Sequence, residues 1–368
     1  MEFTTAYSTK ESIADAVNEI SEKFAEYNPE IIMYFASSAY DPSGIAETME
    51  STFAGAKVFG CTTSGEIAGG MMLKNSVCAI AFAPGAIEDI AIEVVVDLQE
   101  KQSLDNAFLA FEKYYETPVS ELNFEEYVGI ILIDGLSLAE EKTMERIGDK
   151  TNVLFIGGSA GDDLTFNATH VFANGKAYSG AAVLALMKPG RKFDFIKTQS
   201  FTALDKTLVA TEVNEETREV IAFNDKPAIV VYAEAVGTTV DEAPASFMKN
   251  PVGIVIGDDI FVRSPQRVEG NHMFFYCNVL EGTELSLLES TNIIQDTKDA
   301  IAAKSSEIGG ISAIINFNCI LRTLELEASG MADEYGAIFA DLPAIGFSTY
   351  GEEYIGHINQ TATMLVFK

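Results

Sequence analysis

Hydroxyl residues, a glycine and a carboxylate recur together at three places, each after an apolar stretch, at residues 59–66, 155–162 and 345–352. Backbone N–H groups and hydroxyls in such turns bind small polar ligands, and the acidic residue suits an ammonium group. The same residue types also build tight turns by local hydrogen bonds alone. The candidate ligand-binding residues in these turns are Thr62, Thr63, Ser64, Glu66, Ser159, Asp162, Ser348, Thr349, Tyr350 and Glu352.

Two further candidates, Asn318 and Arg322, follow another apolar stretch near the C-terminus. Arginine binds a carboxylate through two parallel hydrogen bonds, so Arg322 suits the carboxylate of an amino acid. The alternative is that Arg322 forms an ion pair with Glu325. We therefore expect a pocket in which Arg322 and Glu352 bind opposite charges of one ligand.

Enzyme motifs are scarce in this sequence. Residues 157–161 match the nucleophile elbow G-x-S-x-G with Ser159 as the nucleophile, but an elbow needs a helix directly after it, and a predicted hairpin follows here. The P-loop, G-x-G-x-x-G and H-E-x-x-H motifs are absent from the sequence. We predict that the protein is not an enzyme, with a serine hydrolase as the less favoured alternative.

Metal and cofactor signals are also weak. The sequence has four cysteines and three histidines, and none forms a C-x-x-C or C-x-x-H pair, so we expect neither zinc nor a disulfide. Haem requires a histidine in an apolar, aromatic pocket. His272 and His357 are the candidates for that alternative, although a lone histidine beside aromatic residues is more often a hydrogen-bonded core residue. We predict no cofactor.

The charge of the chain excludes several classes of partner. The 368 residues carry 24 Lys and Arg against 55 Asp and Glu, a net charge of −31. Such a chain repels the phosphates of nucleic acids and anionic membrane surfaces. The sequence has neither a charge-free stretch of about 18 residues nor the start of a signal peptide. We predict a cytoplasmic protein that binds neither nucleic acid nor membrane.

The three polar turns belong to a repeated unit with the order α-β-α-β-turn-β. Its first helices are predicted to start at Ser8, Ser103 and Ser286, and a second helix at Asp41, which is followed by a proline. The first strands of the units are predicted at residues 31–35, 127–133 and 312–317. Returning strands are predicted at 77–82 and 361–367, and a last helix is predicted at 324–339.

A segment of different composition, residues 190–285, separates the second and third units and is rich in short predicted strands. The fold class is therefore α/β, or α+β with mixed sheets, with three related units and a β-rich insert. We predict two closely packed domains. The first covers residues 1–222 with two internal repeats, and the second covers residues 223–368.

The ordered set of these short motifs resembles the FIST sensory family. Its N-terminal domain carries turns like residues 60–66 and 157–163, and its C-terminal domain carries the motifs found here at 225–228, 263–265, 317–322, 347–353 and 359–361. The resemblance covers about residues 30–367. It implies a ligand-sensing N-type domain followed by a C-type domain.

The resemblance also implies a function. FIST domains are intracellular, bind small ligands that are proposed to include amino acids, and signal to a partner. Some bacterial members bind haem, sense nitric oxide and regulate histidine kinases, which is the alternative function. Because the sequence contains no kinase, cyclase or F-box segment, we expect a separate signalling protein, such as a histidine kinase, as the partner.

Overall fold

A computed structural model describes residues 2–257 and 259–368 of the chain. The described residues form two compact units, each assembled from segments that are separate in the sequence. Unit 1 contains the chain through Lys197, Lys298–Gly356 and Ala362–Lys368, and unit 2 contains Thr198–Thr297 and His357–Thr361. The sequence-based boundary between residues 222 and 223 divides the chain in a different way, and it stays a prediction.

Eight α-helices form within the described residues, and α2 begins where the sequence predicts. Asp41 accepts the backbone N–H of Gly44 at 2.6 Å, and Pro42 is the first helical residue. The helices are α1 (Ile13–Phe24), α2 (Pro42–Thr52), α3 (Lys101–Tyr115), α4 (Glu140–Gly148), α5 (Ala228–Val236), α6 (Ile293–Ile308), α7 (Ile320–Ala328) and α8 (Ala332–Ala337). The single helix predicted at 324–339 is thus two helices.

The helix starts predicted at three serines are wrong. Ser8 ends a strand, and Ser12 caps α1 instead by accepting the backbone N–H of Asp15 at 3.4 Å. Ser103 lies inside α3, and Ser286 lies within a strand. A serine with a glutamate three residues later also occurs in strands, so this pair alone does not locate a helix start. The start is located by the first residue of the helical pattern of apolar side chains.

Twenty-six strands form within the same described residues, and the predicted strands at 77–82 and 361–367 have the expected bounds. In chain order they are β1 (Phe3–Ser8), β2 (Ile31–Ser37), β3 (Lys57–Thr63), β4 (Glu66–Ala68), β5 (Met71–Leu73), β6 (Val77–Phe82), β7 (Ile87–Val95), β8 (Val128–Ile133), β9 (Phe155–Ser159), β10 (Val171–Ala173), β11 (Lys176–Tyr178), β12 (Ala182–Pro189), β13 (Phe193–Gln199), β14 (Phe201–Asn214), β15 (Glu219–Phe223), β16 (Lys226–Pro227), β17 (Val252–Ile256), β18 (Asp259–Arg263), β19 (Pro265–Glu269), β20 (His272–Phe275), β21 (Glu284–Ser290), β22 (Ala313–Cys319), β23 (Ala344–Thr349), β24 (Glu352–Tyr354), β25 (His357–Ile358) and β26 (Thr361–Phe367).

Three sheets of unit 1 share one strand order. Each has two parallel strands at its centre, and these pairs are β2 with β3, β8 with β9, and β22 with β23. A returning strand pairs antiparallel with the first member of each pair, namely β6, β12 and β26. The predicted fold class, with mixed sheets and three related units, is confirmed.

Each of the three sheets also takes a strand from another repeat. Strand β4 of the first repeat pairs with β23 of the third, and β10 of the second repeat pairs with β3 of the first. Strand β24 of the third repeat pairs with β9 of the second. The exchange closes a ring, so each repeat depends on another one to complete its sheet.

The inner faces of the three sheets enclose one apolar core within unit 1. The ring of Phe35 lies 6.3 Å from that of Phe317 and 4.5 Å from that of Phe347, so the first and third sheets meet there. Helices cover the outer faces, as Ile20 of α1 and Ile45 of α2 do on the first sheet. Burial of one such side chain contributes about 1.5–3 kcal/mol, so the core fixes the strand ends that carry the polar turns.

Unit 2 has its own core around α5. Seven of its strands follow the order β18-β17-β21-β14-β15-β20-β19, and β16 pairs with β15. Tyr232 of α5 is buried with Phe223 and Phe275 of this sheet. The β-rich insert predicted at residues 190–285 lies mostly in this unit.

Candidate functional site

The second strand of each parallel pair ends at a polar turn. Strands β3, β9 and β23 end at Thr63, Ser159 and Thr349, and a glycine and an acidic residue follow each of them. We define turn 1 as residues 62–66, turn 2 as residues 158–162 and turn 3 as residues 348–352. Ligands of open α/β folds bind beyond the carboxyl ends of strands, so the turns lie where a ligand site is expected.

Backbone hydrogen bonds join the three turns to one another, and together we call them the turn cluster. The bonds run from Ser64 N to Ser348 O at 3.2 Å, from Ser348 N to Gly65 O at 2.8 Å, from Ser159 N to Gly351 O at 2.9 Å, from Tyr350 N to Ser159 O at 3.2 Å, and from Gly161 N to Thr62 O at 3.0 Å. Candidate residues that are far apart in the sequence therefore form one group in the fold.

All twelve candidate ligand-binding residues are buried, and none has more than 8% of its surface exposed. The clefts lined by Phe108 and by Phe53, of about 500 and 490 Å³, include none of them. Buried polar groups cost free energy unless they are hydrogen-bonded. The candidate site is thus a closed polar network, and its hydrogen bonds show what it can do.

Glu66 lies in turn 1 with its carboxylate enclosed by hydroxyl groups. Its oxygens accept hydrogen bonds from the hydroxyls of Thr63 and Ser76 and from the backbone N–H of Ser76 at 3.2 Å. Burial raises the pKa of Glu66 to about 7, the hydrogen bonds from Ser76 and Thr63 oppose this rise, and the charge of Asp163 adds to it. Glu66 therefore gains or loses its proton near neutral pH.

Asp162 organises the loop that follows turn 2. Its carboxylate accepts the hydroxyl of Thr165 at 2.7 Å and the backbone N–H groups of residues 166, 167 and 168 at 3.0, 2.7 and 3.1 Å. The hydroxyl of Tyr350 donates to it as well. Burial acts to raise the pKa of Asp162, but these hydrogen bonds, led by that of Tyr350, hold it below its ordinary value. Asp162 thus holds the backbone of this loop in place.

Tyr350 of turn 3 connects the turn cluster to that loop. Its phenol oxygen accepts the backbone N–H of Leu164 at 2.8 Å, and its ring stacks on Phe166 with centroids 5.2 Å apart. Burial, followed by the hydrogen bond to Asp162, raises the pKa of Tyr350 well above its ordinary value. Tyr350 therefore remains a neutral hydroxyl group that can donate and accept hydrogen bonds.

Arg322 is 1% exposed and reaches turn 3 through a chain of hydrogen bonds. Its Nε donates to Asn318 Oδ1 at 3.0 Å, and Asn318 Nδ2 donates to Thr323 Oγ1 at 3.0 Å. The hydroxyls of Thr323 and Ser348 are 2.7 Å apart, and the hydroxyl of Tyr335 donates to Asn318 at 2.9 Å. The structure thus brings the candidates Asn318, Arg322 and Ser348 together.

Strand alternation places this network on the helix-facing side of the third sheet, whereas Glu352, on β24 beside β9, is bonded from the inner side. Phe317 and Phe347 belong to the shared core, so the next residues, Asn318 and Ser348, point to the helix-facing side. Thr349 alternates back to the inner side, and its hydroxyl donates to Glu352 Oε1 at 2.6 Å. A common pocket of Arg322 and Glu352 stays a prediction.

Ser159 does not have the surroundings of a hydrolase nucleophile. Its hydroxyl is fully buried and donates to Glu353 Oε1 at 3.2 Å. The chain after β9 continues through a loop into β10, where a nucleophile elbow has a helix. This arrangement does not favour the hydrolase alternative.

The two histidines considered for haem lie in unit 2. His272 Nδ1 is 2.7 Å from Glu219 Oε1, and 43% of the His272 side chain is exposed, which does not fit an enclosed haem pocket. His357 is buried. Over residues 2–257 and 259–368, no group of three or more His, Cys, Asp and Glu side chains is placed to hold a metal ion.

Four polar residues beside the turn cluster were not predicted from the sequence, namely Ser37, Ser38, Asp134 and Asp163. The hydroxyls of Ser37 and Ser38 donate to Asp163 at 3.4 and 3.2 Å, and Asp134 accepts the hydroxyl of Ser179 at 3.0 Å. Ser37 ends β2 and Asp134 directly follows β8. The signal available for these two was a polar residue at the end of an apolar strand.

Comparison with known protein families accounts for most of the chain. Residues 30–226 match the FIST N domain, and residues 228–354 match the FIST C domain. The chain therefore belongs to the FIST family, and the resemblance drawn from its motifs is confirmed. FIST domains are associated with signal-transduction sensors, and the family is a sensory, ligand-binding one rather than a known enzyme family.

A curated relative is an uncharacterized protein of Methanocaldococcus jannaschii, which is 23% identical over 264 residues. The match covers 66% of this chain and 50% of the relative, so the chain spans about half the length of that protein. None of the helices in the described part of the chain is long and apolar enough to cross a membrane.

Proposed function

We propose that this protein is a cytoplasmic sensor that binds a small ligand, an amino acid, at the turn cluster and signals through a separate protein. Membership of the FIST family supports a sensory role. The turn cluster supplies hydroxyls and carboxylates, and Arg322 is connected to it through Asn318 and Thr323. This combination supports a small ligand that carries both charges.

The observation that carries this proposal is the concentration of buried polar side chains where the three parallel strand pairs end. A core selected for stability alone gains little from such groups, because apolar replacements of buried charged networks are often neutral or stabilising. Recognition of a polar ligand is a reason to keep them. The polar residues lie at one end of the strands, and the apolar rings of Phe35 and Phe347 fill the core beside them.

Arg322 is the group proposed to bind the carboxylate of the ligand. Asn318 holds its Nε, and its guanidinium carbon lies 5.8 Å from the centre of the Tyr335 ring. A planar guanidinium that is already oriented loses little further entropy when it binds a carboxylate through two hydrogen bonds. Replacement of Arg322 is therefore expected to weaken binding strongly.

Arg322 and the carboxylates of turns 1 and 3 approach the third sheet from opposite sides, so the ligand is proposed to cross the carboxyl ends of β22 and β23. Its ammonium group is then received by a carboxylate of turn 3 or turn 1. Thr349 orients Glu352, and Thr63 and Ser76 orient Glu66. Both carboxylates are buried, so a charged hydrogen bond to either is stronger than at the surface.

The test is isothermal titration calorimetry of the full chain with each of the common L-amino acids, together with native mass spectrometry of the freshly purified protein to detect a retained ligand. Arg322→Ala and Glu352→Gln are each expected to weaken binding by about 2–5 kcal/mol, because both charged groups are buried. The matched control is Glu327→Gln on the same helix as Arg322, because Glu327 is exposed and pairs with Lys74 at 3.3 Å. Equal binding by all four proteins would rule out this site.

A further inference from the structure

An exposed loop lies over the buried turn cluster. Residues 163–168 follow turn 2, and the side chains of Leu164 and Phe166 are among the exposed large apolar groups, at 37% and 49%. Tyr350, which stacks on Phe166, is only 8% exposed. The loop thus presents apolar side chains outward and closes a polar site beneath it.

The backbone of this loop is held in an unfavourable conformation. Asp163, Leu164 and Phe166 have φ angles of 54°, 64° and 52°, in the left-handed region that favours glycine. Such conformations persist only where the surrounding structure enforces them. The enforcing contacts are the hydrogen bonds of residues 164 and 166–168 to Tyr350 and Asp162 and those of Asp163 with Ser37, Ser38 and Ser64. Loss of the bonds to Tyr350 or Asp162 therefore favours release of the loop.

We propose that residues 163–168 form a lid over the turn cluster and that Tyr350 is its latch. This inference rests on the proposed function, because the lid explains how a ligand reaches the site and how ligand binding changes the protein surface. The lid opens when the hydroxyl of Tyr350 leaves the N–H of Leu164 and the carboxylate of Asp162.

The position of Tyr350 explains why a ligand would control the lid. Its backbone N–H bonds to Ser159 of turn 2, and its hydroxyl bonds to the lid, so one residue belongs to both structures. Ser64 of turn 1 adds a third connection, because its hydroxyl accepts the N–H of Asp163 at 3.1 Å. A ligand that moves turn 1 or turn 3 therefore changes the contacts that hold Leu164 and Phe166.

The test measures lid opening by thiol labelling in the full chain. Ser64→Cys places a thiol beneath the lid, where it reacts with iodoacetamide only when the lid is open. The substitution replaces the Ser64 hydroxyl in every protein compared, so the comparison isolates the contribution of Tyr350. Adding Tyr350→Phe removes the latch hydroxyl and keeps the ring, and it is expected to speed this labelling about tenfold. Tyr335→Phe is the matched control, because it removes another buried hydroxyl, bonded to Asn318, and leaves the lid contacts intact.

Cys61 on β3 is an internal reference, since it is fully buried close to Ser64 in the sequence. Faster labelling at residue 64 with no change at Cys61 supports the lid. Equal rates with and without Tyr350→Phe, equal acceleration by Tyr335→Phe, or parallel labelling of Cys61 would overturn it. Should Ser64→Cys fail to fold, hydrogen exchange of residues 163–168 in Tyr350→Phe gives the same comparison. No amino acid is needed, so the lid can be confirmed even if the proposed binding fails.

Discussion

Ser64 in the first repeat and Ser348 in the third are joined by a backbone hydrogen bond of 3.2 Å, and the N–H of Ser348 returns a bond to Gly65 at 2.8 Å. The two strand ends that carry candidate ligand-binding hydroxyls are thereby fixed to each other. Because turn 2 closes the ring through Ser159 and Gly161, a change in one turn is passed to the other two.

Glu66 is expected to make stability depend on pH. Its pKa is raised from 4.5 to about 7 in the fold, so the folded state binds more protons than the unfolded state between these values. The stabilising contribution of Glu66 is fully present below pH 4.5 and is lost as the pH rises through about 7. Glu66→Gln keeps a hydrogen-bonding side chain and removes the titration.

Urea unfolding of the wild type and of Glu66→Gln at about pH 5 and about pH 8 checks this expectation. The free energy of unfolding of the variant, relative to that of the wild type, should rise by about 2–3 kcal/mol between the two pH values. A constant difference would show that Glu66 does not titrate in this range.

Gly60 and Gly346 should not accept a side chain. A Cβ at Gly60 would lie 1.9 Å from the carbonyl oxygen of Tyr34, and one at Gly346 would lie 2.3 Å from that of Asn316. Because backbone of the neighbouring strand would have to move, each alanine variant should lower the free energy of unfolding by about 1–3 kcal/mol.

Gly148 at the end of α4 is the matched control, since a Cβ there would meet nothing within 4 Å. Gly148→Ala should be neutral or stabilise by up to about 1 kcal/mol. Thermal unfolding of the three variants separates the outcomes, and equal melting temperatures would contradict the close approach of the strands.

The N-terminal segment should not fold by itself. A fragment of residues 1–226 lacks β23, the partner of β4, and β24, the partner of β9. It also lacks Phe317 and Phe347, which contact Phe35 in the shared core. We expect no cooperative unfolding transition from the fragment and recovery of the transition on co-expression with residues 228–368. A cooperative transition from the fragment alone would contradict the strand exchange.

Local features of the fold could be predicted from the sequence. The apolar run of β6 and the turn residues Ser64-Gly65-Glu66 each carry their signal within a few residues. The start of α2 is equally local, because Asp41 and Pro42 stand beside each other.

The exchange of strands could not be predicted in the same way. The turns of the three repeats are similar, and residues 66–68 contain no signal that β4 pairs with β23 rather than with a strand of its own repeat. Such pairing depends on long-range packing of side chains such as Phe35 and Phe347. Asp134 was missed for a related reason, since its partner Ser179 is distant in the sequence.

Calorimetry of the wild type and of Arg322→Ala with L-amino acids, under identical conditions, shows whether Arg322 binds the ligand. We expect saturable binding of at least one amino acid by the wild type and a loss of about 2–5 kcal/mol of binding free energy in the variant. Glu327→Gln should bind like the wild type. Saturable binding of equal strength by the wild type and Arg322→Ala, or no binding by the wild type, would show that this protein is not an amino-acid sensor that uses Arg322.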